Sequence, residues 1–307
     1  MRAGPGKTGR MTTHRSAPHS GTQSERLDAL LRAARAGEGR ASCRLGDLYR
    51  QGEAVEQDWD EAFRWYSLGA SQGDAHAQNN LATLFLHGIG CLPEETRAVF
   101  WYRKSAAQGH ATAQANLGKR YLRGEGVAPD PLEAFRWFEA ASRQGDLGGM
   151  WELAMMVRFG RGVARDLLAA VQLCLAAARG GLVAAEVTLG DCLDELQDLA
   201  LAGDATASRY LCEMHHLGLG VAPVPPLTWT WIRWAKVHCR PAADPDRAAE
   251  IESTFAFYEQ WLSAEIRAEG ERVLAALLRP LPGIPPRRAG SRERPPPRVR
   301  YKRRSRS

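Results

Sequence analysis

The chain has 307 residues, 44% apolar and 25% charged, with a formal net charge of +6. No run of 18 apolar residues occurs, which excludes a spanning helix, and residues 1–23 lack the apolar stretch of a secretory signal. The charge is unevenly placed: residues 1–23 carry four Lys/Arg and no acid, and residues 280–307 carry ten against Glu293, which leaves −7 for residues 24–279.

Six cysteines (Cys43, Cys91, Cys174, Cys192, Cys212 and Cys239) form no CxxC and no zinc-type spacing. Most lie in apolar helical patterns, where a free thiol behaves as a small hydrophobe. A reduced, cytoplasmic protein is expected.

In chain order, residues 1–23 read as a disordered basic segment. Gly6-Lys7-Thr8 resembles the end of a phosphate loop, but Met1 stands where the loop needs its first glycine. Residues 24–36 are expected to form a capping helix through Leu27, Leu30, Leu31 and Ala34, closed by Gly37. From residue 37 to 182 one phrase returns. Leu45, Leu81, Leu117, Leu153 and Leu189 stand 36 residues apart. A small residue precedes each leucine by four positions: Ala41, Ala77, Ala113, Gly149, Ala185. That spacing puts both on one face of a helix, here called helix A. Gly52, Gly88, Gly124 and Gly160 follow as helix ends. Asp58, Asp130 and Asp166 then read as N-caps of a second helix, B. Helix B carries Ala62, Ala98 and Ala134 with the pairs Trp65-Tyr66, Trp101-Tyr102 and Trp137-Phe138. The tryptophan is the expected core anchor, with Trp137→Ala costing about 3–5 kcal/mol. Neither helix can bury its apolar face alone, so the units must stack into one continuous core.

The period breaks after Leu189. The next equivalent leucine is Leu211, so residues 183–238 are expected to hold irregular fifth and sixth repeats, with 183–202 as one long helix or a cramped pair. Residues 239–279 read as a C-terminal capping helix on Ile251, Phe255, Tyr258, Leu262 and Ile266. Residues 280–307, rich in proline and arginine, read as a disordered tail.

The stretch 111–145, with Ala111, Ala113, Leu117, Gly118, Tyr121, Gly124, Gly126, Val127, Asp130, Ala134, Trp137, Ala140, Ala141 and Gly145, resembles the Sel1-like repeat, a relative of the tetratricopeptide repeat. The resemblance implies an all-α, right-handed α-solenoid whose helices A line a concave groove. A non-enzymatic adaptor or scaffold is the implied function, holding another protein or an extended peptide there, with no cofactor and no metal. Gln78, Asn80, Gln114, Asn116, Lys119 and Arg120 are the groove candidates, since amides grip extended backbone and a cation holds a carboxylate. His215-His216 and His238-Cys239 have no ligand-like partners in spacing, and His215, in the column of Tyr121, is expected in the core or the groove rather than as a ligand. The alternative is binding of nucleic acid or another anionic partner or surface through the tail, by Arg298, Arg300, Lys302, Arg303, Arg304 and Arg306.

Overall fold

The computed structural model describes residues 20–239 and 244–278. Among them are fourteen α-helices and no strand. Of the segments expected to be disordered, 1–23 and 280–307, residues 1–19 and 280–307 lie outside the described residues, while residues 20–23 belong to α1, Ser20–Arg35, which begins four residues earlier than expected.

Four regular repeats follow as pairs of 13-residue helices. Helices A are α2 (Gly39–Gln51), α4 (Ala75–His87), α6 (Ala111–Arg123) and α8 (Leu147–Phe159). Helices B are α3 (Trp59–Ser71), α5 (Glu95–Ala107), α7 (Pro131–Arg143) and α9 (Leu167–Arg179). Their ends are set locally. Asp58 accepts from the N–H groups of Asp60 and Glu61, Asp130 from those of Leu132 and Glu133, and Asp166 from Ala169. Each carboxylate satisfies donors that a helix start leaves open, worth about 1 kcal/mol. Gly52 closes α2 at φ 72°, which an L side chain adopts only with strain.

The small-residue columns have a direct packing cause. A Cβ on Gly46 would lie 2.7 Å from the Tyr66 ring, and one on Gly118 would lie 2.8 Å from Phe138. This corrects the expected anchor. Tyr66, Tyr102 and Phe138 are fully buried, whereas their neighbours Trp65, Trp101 and Trp137 are only half-buried. The second ring of each pair points at helix A, and the tryptophan lies along the flank.

Residues 183–201 form one helix, α10 (Val183–Leu201), in place of a helix pair. The last pair is α11 (Ala205–Leu217) and α12 (Pro225–His238). The expected single C-terminal helix is two, α13 (Pro245–Trp261) and α14 (Ala264–Leu278). Leu262 leaves the helix in extended conformation (ψ 139°) and is buried, while the Ser263 hydroxyl accepts from the N–H of Ile266. The chain breaks where burying Leu262 and restarting on a serine cap compensate for the lost helical turn.

The described residues fall into two compact units, one running to Ala113 with Glu125–Val127, the other comprising Gln114–Gly124 and the residues from Ala128 on. In the first, α2 packs on α1, α3 and α4, and α4 on α5. In the second, the packing runs in sequence from α7 to α12, with α9 also meeting α11, and α13 and α14 both lying on α12. Its core gathers Leu189, Leu196, Leu211, Met214, Trp231 and Ile232, all buried.

Candidate partner-binding face of helix A

Within each helix A, the candidates divide by position. Gln78 and Gln114 occupy one column, and both are buried. The Gln78 amide donates to the carbonyl of Ala70 at 3.2 Å, and its oxygen accepts from Gln108 at 2.8 Å. Gln144 donates to Gln114 at 2.8 Å in the same way. In the first repeat Ser42 donates to Gln72 at 2.7 Å, and Gln72 to the carbonyl of Ala34 at 3.0 Å. Gln72, Gln108 and Gln144 are the glutamines that end successive helices B, 36 residues apart. The result is one polar rung in each of the first three repeats, tying the end of helix B to the start of a helix A; the fourth has Met150 and Gly180 at these positions. These buried amides are fully engaged, as buried polar groups must be. Gln78 and Gln114 therefore serve packing between helices, which the sequence reading missed. The signal was present in the recurring Gln-Gly pair.

Asn80 and Asn116 share a second column, and both are half-buried. Asn80 accepts from the amide of Asn79 at 3.3 Å. The same column holds Arg44 in the first repeat and Glu152 in the fourth. Arg120, one turn after Asn116 on the same side of α6, is buried at 7% exposure.

Lys119 is placed by what its partner helix lacks. Its column reads Asp47, Thr83, Lys119. Tyr66 donates its hydroxyl proton to Asp47 at 2.6 Å and accepts from Arg50 at 3.2 Å. Thr83 and the Tyr102 hydroxyl are 2.9 Å apart. In the third repeat Phe138 has no hydroxyl. Lys119 instead approaches Glu152 at 3.7 Å, with 30% of its side chain exposed. Glu152 is the more buried partner, at 12% side-chain exposure, and the 3.7 Å separation leaves the lysine room to meet a second carboxylate.

The titratable groups of the interior show no activated nucleophile. Burial pushes the Cys174 thiol up to about 12 and that of Cys192 to about 11, so both are protonated at neutral pH. Burial pulls His215 down to about 4, against a smaller opposing effect of a backbone hydrogen bond with Ala222, and it stays neutral in the core, the first of the two places expected for it. No described helix is long and apolar enough to cross a membrane.

The Sel1 repeat family model matches residues 39–74, 75–110, 111–146, 148–182 and 205–232. Among solved structures, a Sel1 repeat protein from Oxalobacter formigenes is 26% identical over 69% of this chain and 98% of its own, with a TM-score of 0.50. An immunity protein of Pseudomonas aeruginosa is 22% identical, covers 72% of this chain and 74% of its own, and gives a TM-score of 0.40. A protective antigen of uropathogenic Escherichia coli, described as displaying the same repeat fold, is 22% identical over 83% and 72%, at a TM-score of 0.36. No curated protein matches the chain. Sel1 repeats are generally protein–protein interaction modules and typically non-catalytic. The matched repeats cover more than half of the residues in an all-α solenoid with repeat-by-repeat caps, and the chain belongs to the Sel1 repeat family.

Proposed function

We propose that the protein is a non-enzymatic adaptor or scaffold that holds a partner protein, or an extended segment of one, against the helix-A surface of its repeats. The observation that carries this is the fate of the polar columns. Gln78 and Gln114 are consumed by the inter-helix rungs and Arg120 is buried, while Asn80, Asn116 and Lys119 are only half-buried. Side-chain amides offer a donor and an acceptor together, which suits the backbone of an extended peptide. A weakly held lysine suits a carboxylate. A preformed helical surface loses little conformational freedom on binding, which supports affinity without a catalytic centre.

Asn80→Ala, Asn116→Ala and Lys119→Ala fall at half-buried positions outside the core, so each is expected to cost no more than about 1 kcal/mol of stability. Each is expected to weaken partner binding by about three- to tenfold, the loss of one hydrogen bond or ion pair. Quantitative binding of a captured partner to the three variants tests this. Unchanged affinity in all three would remove the helix-A surface from the account. A second reading uses the basic tail: its ten Lys/Arg against one acid favour an anionic partner, nucleic acid among them. Arg298, Arg300, Lys302, Arg303, Arg304 and Arg306 lie outside the described residues. That reading requires binding to fall steeply with salt and to vanish when residues 280–307 are removed.

A further inference from the structure

Among the described residues, four aromatic rings are 48–57% exposed: Phe100, Phe159, Phe257 and Trp261. Two of them bring their own cover. Lys104 stands over Phe100 at 4.7 Å, and Arg158 over Phe159 at 5.2 Å. No described cation stands over Phe257 or Trp261. These two lie four residues apart on α13, with ring planes 11° from parallel and centroids 6.4 Å apart. His216 of α11 packs nearly at right angles to both, at 78° and 89°, which fixes the pair in place. Leu217 beside it is exposed as well.

The rings end a longer stripe. Asp246, Glu250, Thr254, Phe257 and Trp261 follow at steps of four, four, three and four, which places them on one face of α13. A groove of about 420 Å³ runs between that face and α11, lined by Glu250, Thr254 and Phe257 on one side and His216 and Leu217 on the other. Its two arginines already have partners: Glu213 pairs with Arg179 and Arg209, and Glu250 meets Arg209 at 3.3 Å. The surrounding charge is one-sided. Residues 244–278 carry eight Asp/Glu against three Arg. Asp246 and Glu259 of α13 and Glu265 and Glu269 of α14 are exposed and form no ion pair among the described residues.

We infer that this face of α13 docks the chain's own segment Arg292–Arg300, with Pro295, Pro296 and Pro297 on the Phe257 and Trp261 rings and the flanking arginines on the rings and the free acids. Proline runs dock on aromatic-lined grooves, and arginine stacks on an aromatic face. Both residue types stand together in this segment, within a stretch of ten Lys/Arg against one acid. Residues 1–19 are basic but have no proline run. The chain is long enough. The 15 residues of α14 span about 22 Å and the link from Trp261 to Ala264 about 11 Å, so Leu278 lies within about 33 Å of Trp261. Pro295 stands 17 residues past Leu278, a reach of about 56 Å. Held there, the arginines are offered to an anionic partner only when the segment leaves α13. The contact does not rest on the helix-A surface of the proposed function.

The test follows tryptic cleavage after Arg292, Arg298 and Arg300 in the full chain, since cleavage of a docked segment tracks the fraction that is open. Phe257→Ser with Trp261→Ser, both on exposed positions, is expected to speed these cuts by at least about fivefold. Trp261→Phe, which keeps a ring, should retain most of the protection. Equal rates in the unaltered chain and the double serine variant would overturn the inference. So would protection that rises with protein concentration, because the occupant would then be the tail of a second copy. A second measurement reads the rings themselves. In protein labelled with 5-fluorotryptophan, Pro295→Gly, Pro296→Gly and Pro297→Gly together should shift the fluorine resonance of Trp261 and leave that of buried Trp231 in place. A Trp261 resonance indifferent to the tail would contradict the contact. Neither readout involves Asn80, Asn116 or Lys119, so the two accounts fail separately.

Discussion

Residues 39–182 and residues 183–278 build the same kind of interior by different means. In the regular stretch most units share one solution: a glycine ends helix A, an aspartate starts helix B in three of the four, and in the first three a buried ring sits over a glycine or alanine of the facing helix. Beyond residue 183 that solution lapses. Leu182 and Val224 start α10 and α12 without a side-chain cap. Packing replaces it: Trp231 and Ile232 are fully buried, the Trp234 indole donates to the carbonyl of Ala200 at 2.7 Å, and Trp229 donates to Glu271 of α14 at 2.9 Å. A Cβ on Gly270 would meet the carbonyl of Pro226 at 2.7 Å, so α14 lies close enough to need glycine. Local signals define the regular stretch, and bulky non-local contacts define the rest. This is why one stretch was periodic and the other was not.

The comparison can be broken where its terms are largest. Trp231→Ala in the irregular part and Phe138→Ala in the regular part are each expected to cost about 3–5 kcal/mol in urea unfolding. Trp137→Ala, one residue away but half-exposed, should cost clearly less than Phe138→Ala; equal losses would contradict the assignment of the second ring as the anchor.

His215 makes the irregular part the acid-sensitive one. Its folded pKa, about 4, lies below the unfolded value of 6.5. Between these values the unfolded chain binds the extra proton, so its contribution is present above pH 6.5 and is lost as pH falls toward 4. The full loss is on the order of 3 kcal/mol. Urea melts at pH 7, 6 and 5 check this, and His215→Met should flatten the profile over that window.

Gly118→Ala sharpens the regular half. Its new Cβ would press on Phe138, an overpacking cost of about 1–3 kcal/mol. Phe138→Leu in the same chain should recover part of that loss, since the ring is what the methyl meets. Asp130→Ala is the smallest effect, about 1 kcal/mol from the lost cap.

Much of the fold was legible in particular residues. Leu45 to Leu189, the glycines after helix A and the aspartates before helix B carry it, because caps and turns are local and depend on residue type. Two features were not legible. Whether Trp137 or Phe138 faces the core depends on the rotation of helix B, which adjacent aromatics leave ambiguous. The break at Leu262-Ser263 depends on what Leu262 can reach. For the site, the repeated Gln78/Gln114 column was read as a binding feature, yet recurrence marks structural residues at least as readily. Lys119 stands in the column where Asp47 and Thr83 meet a tyrosine hydroxyl; opposite Phe138 it approaches Glu152 instead, a pairing that spacing along its own helix does not reveal.

The most direct test of the central claim measures one captured partner against four forms of the chain: unaltered, Asn80→Ala with Asn116→Ala, Lys119→Ala, and residues 280–307 removed, all after nuclease treatment. The account predicts a saturable protein partner whose affinity falls with the helix-A substitutions and survives removal of the tail. Affinity indifferent to the helix-A substitutions, but lost with the tail or with nuclease, would contradict it.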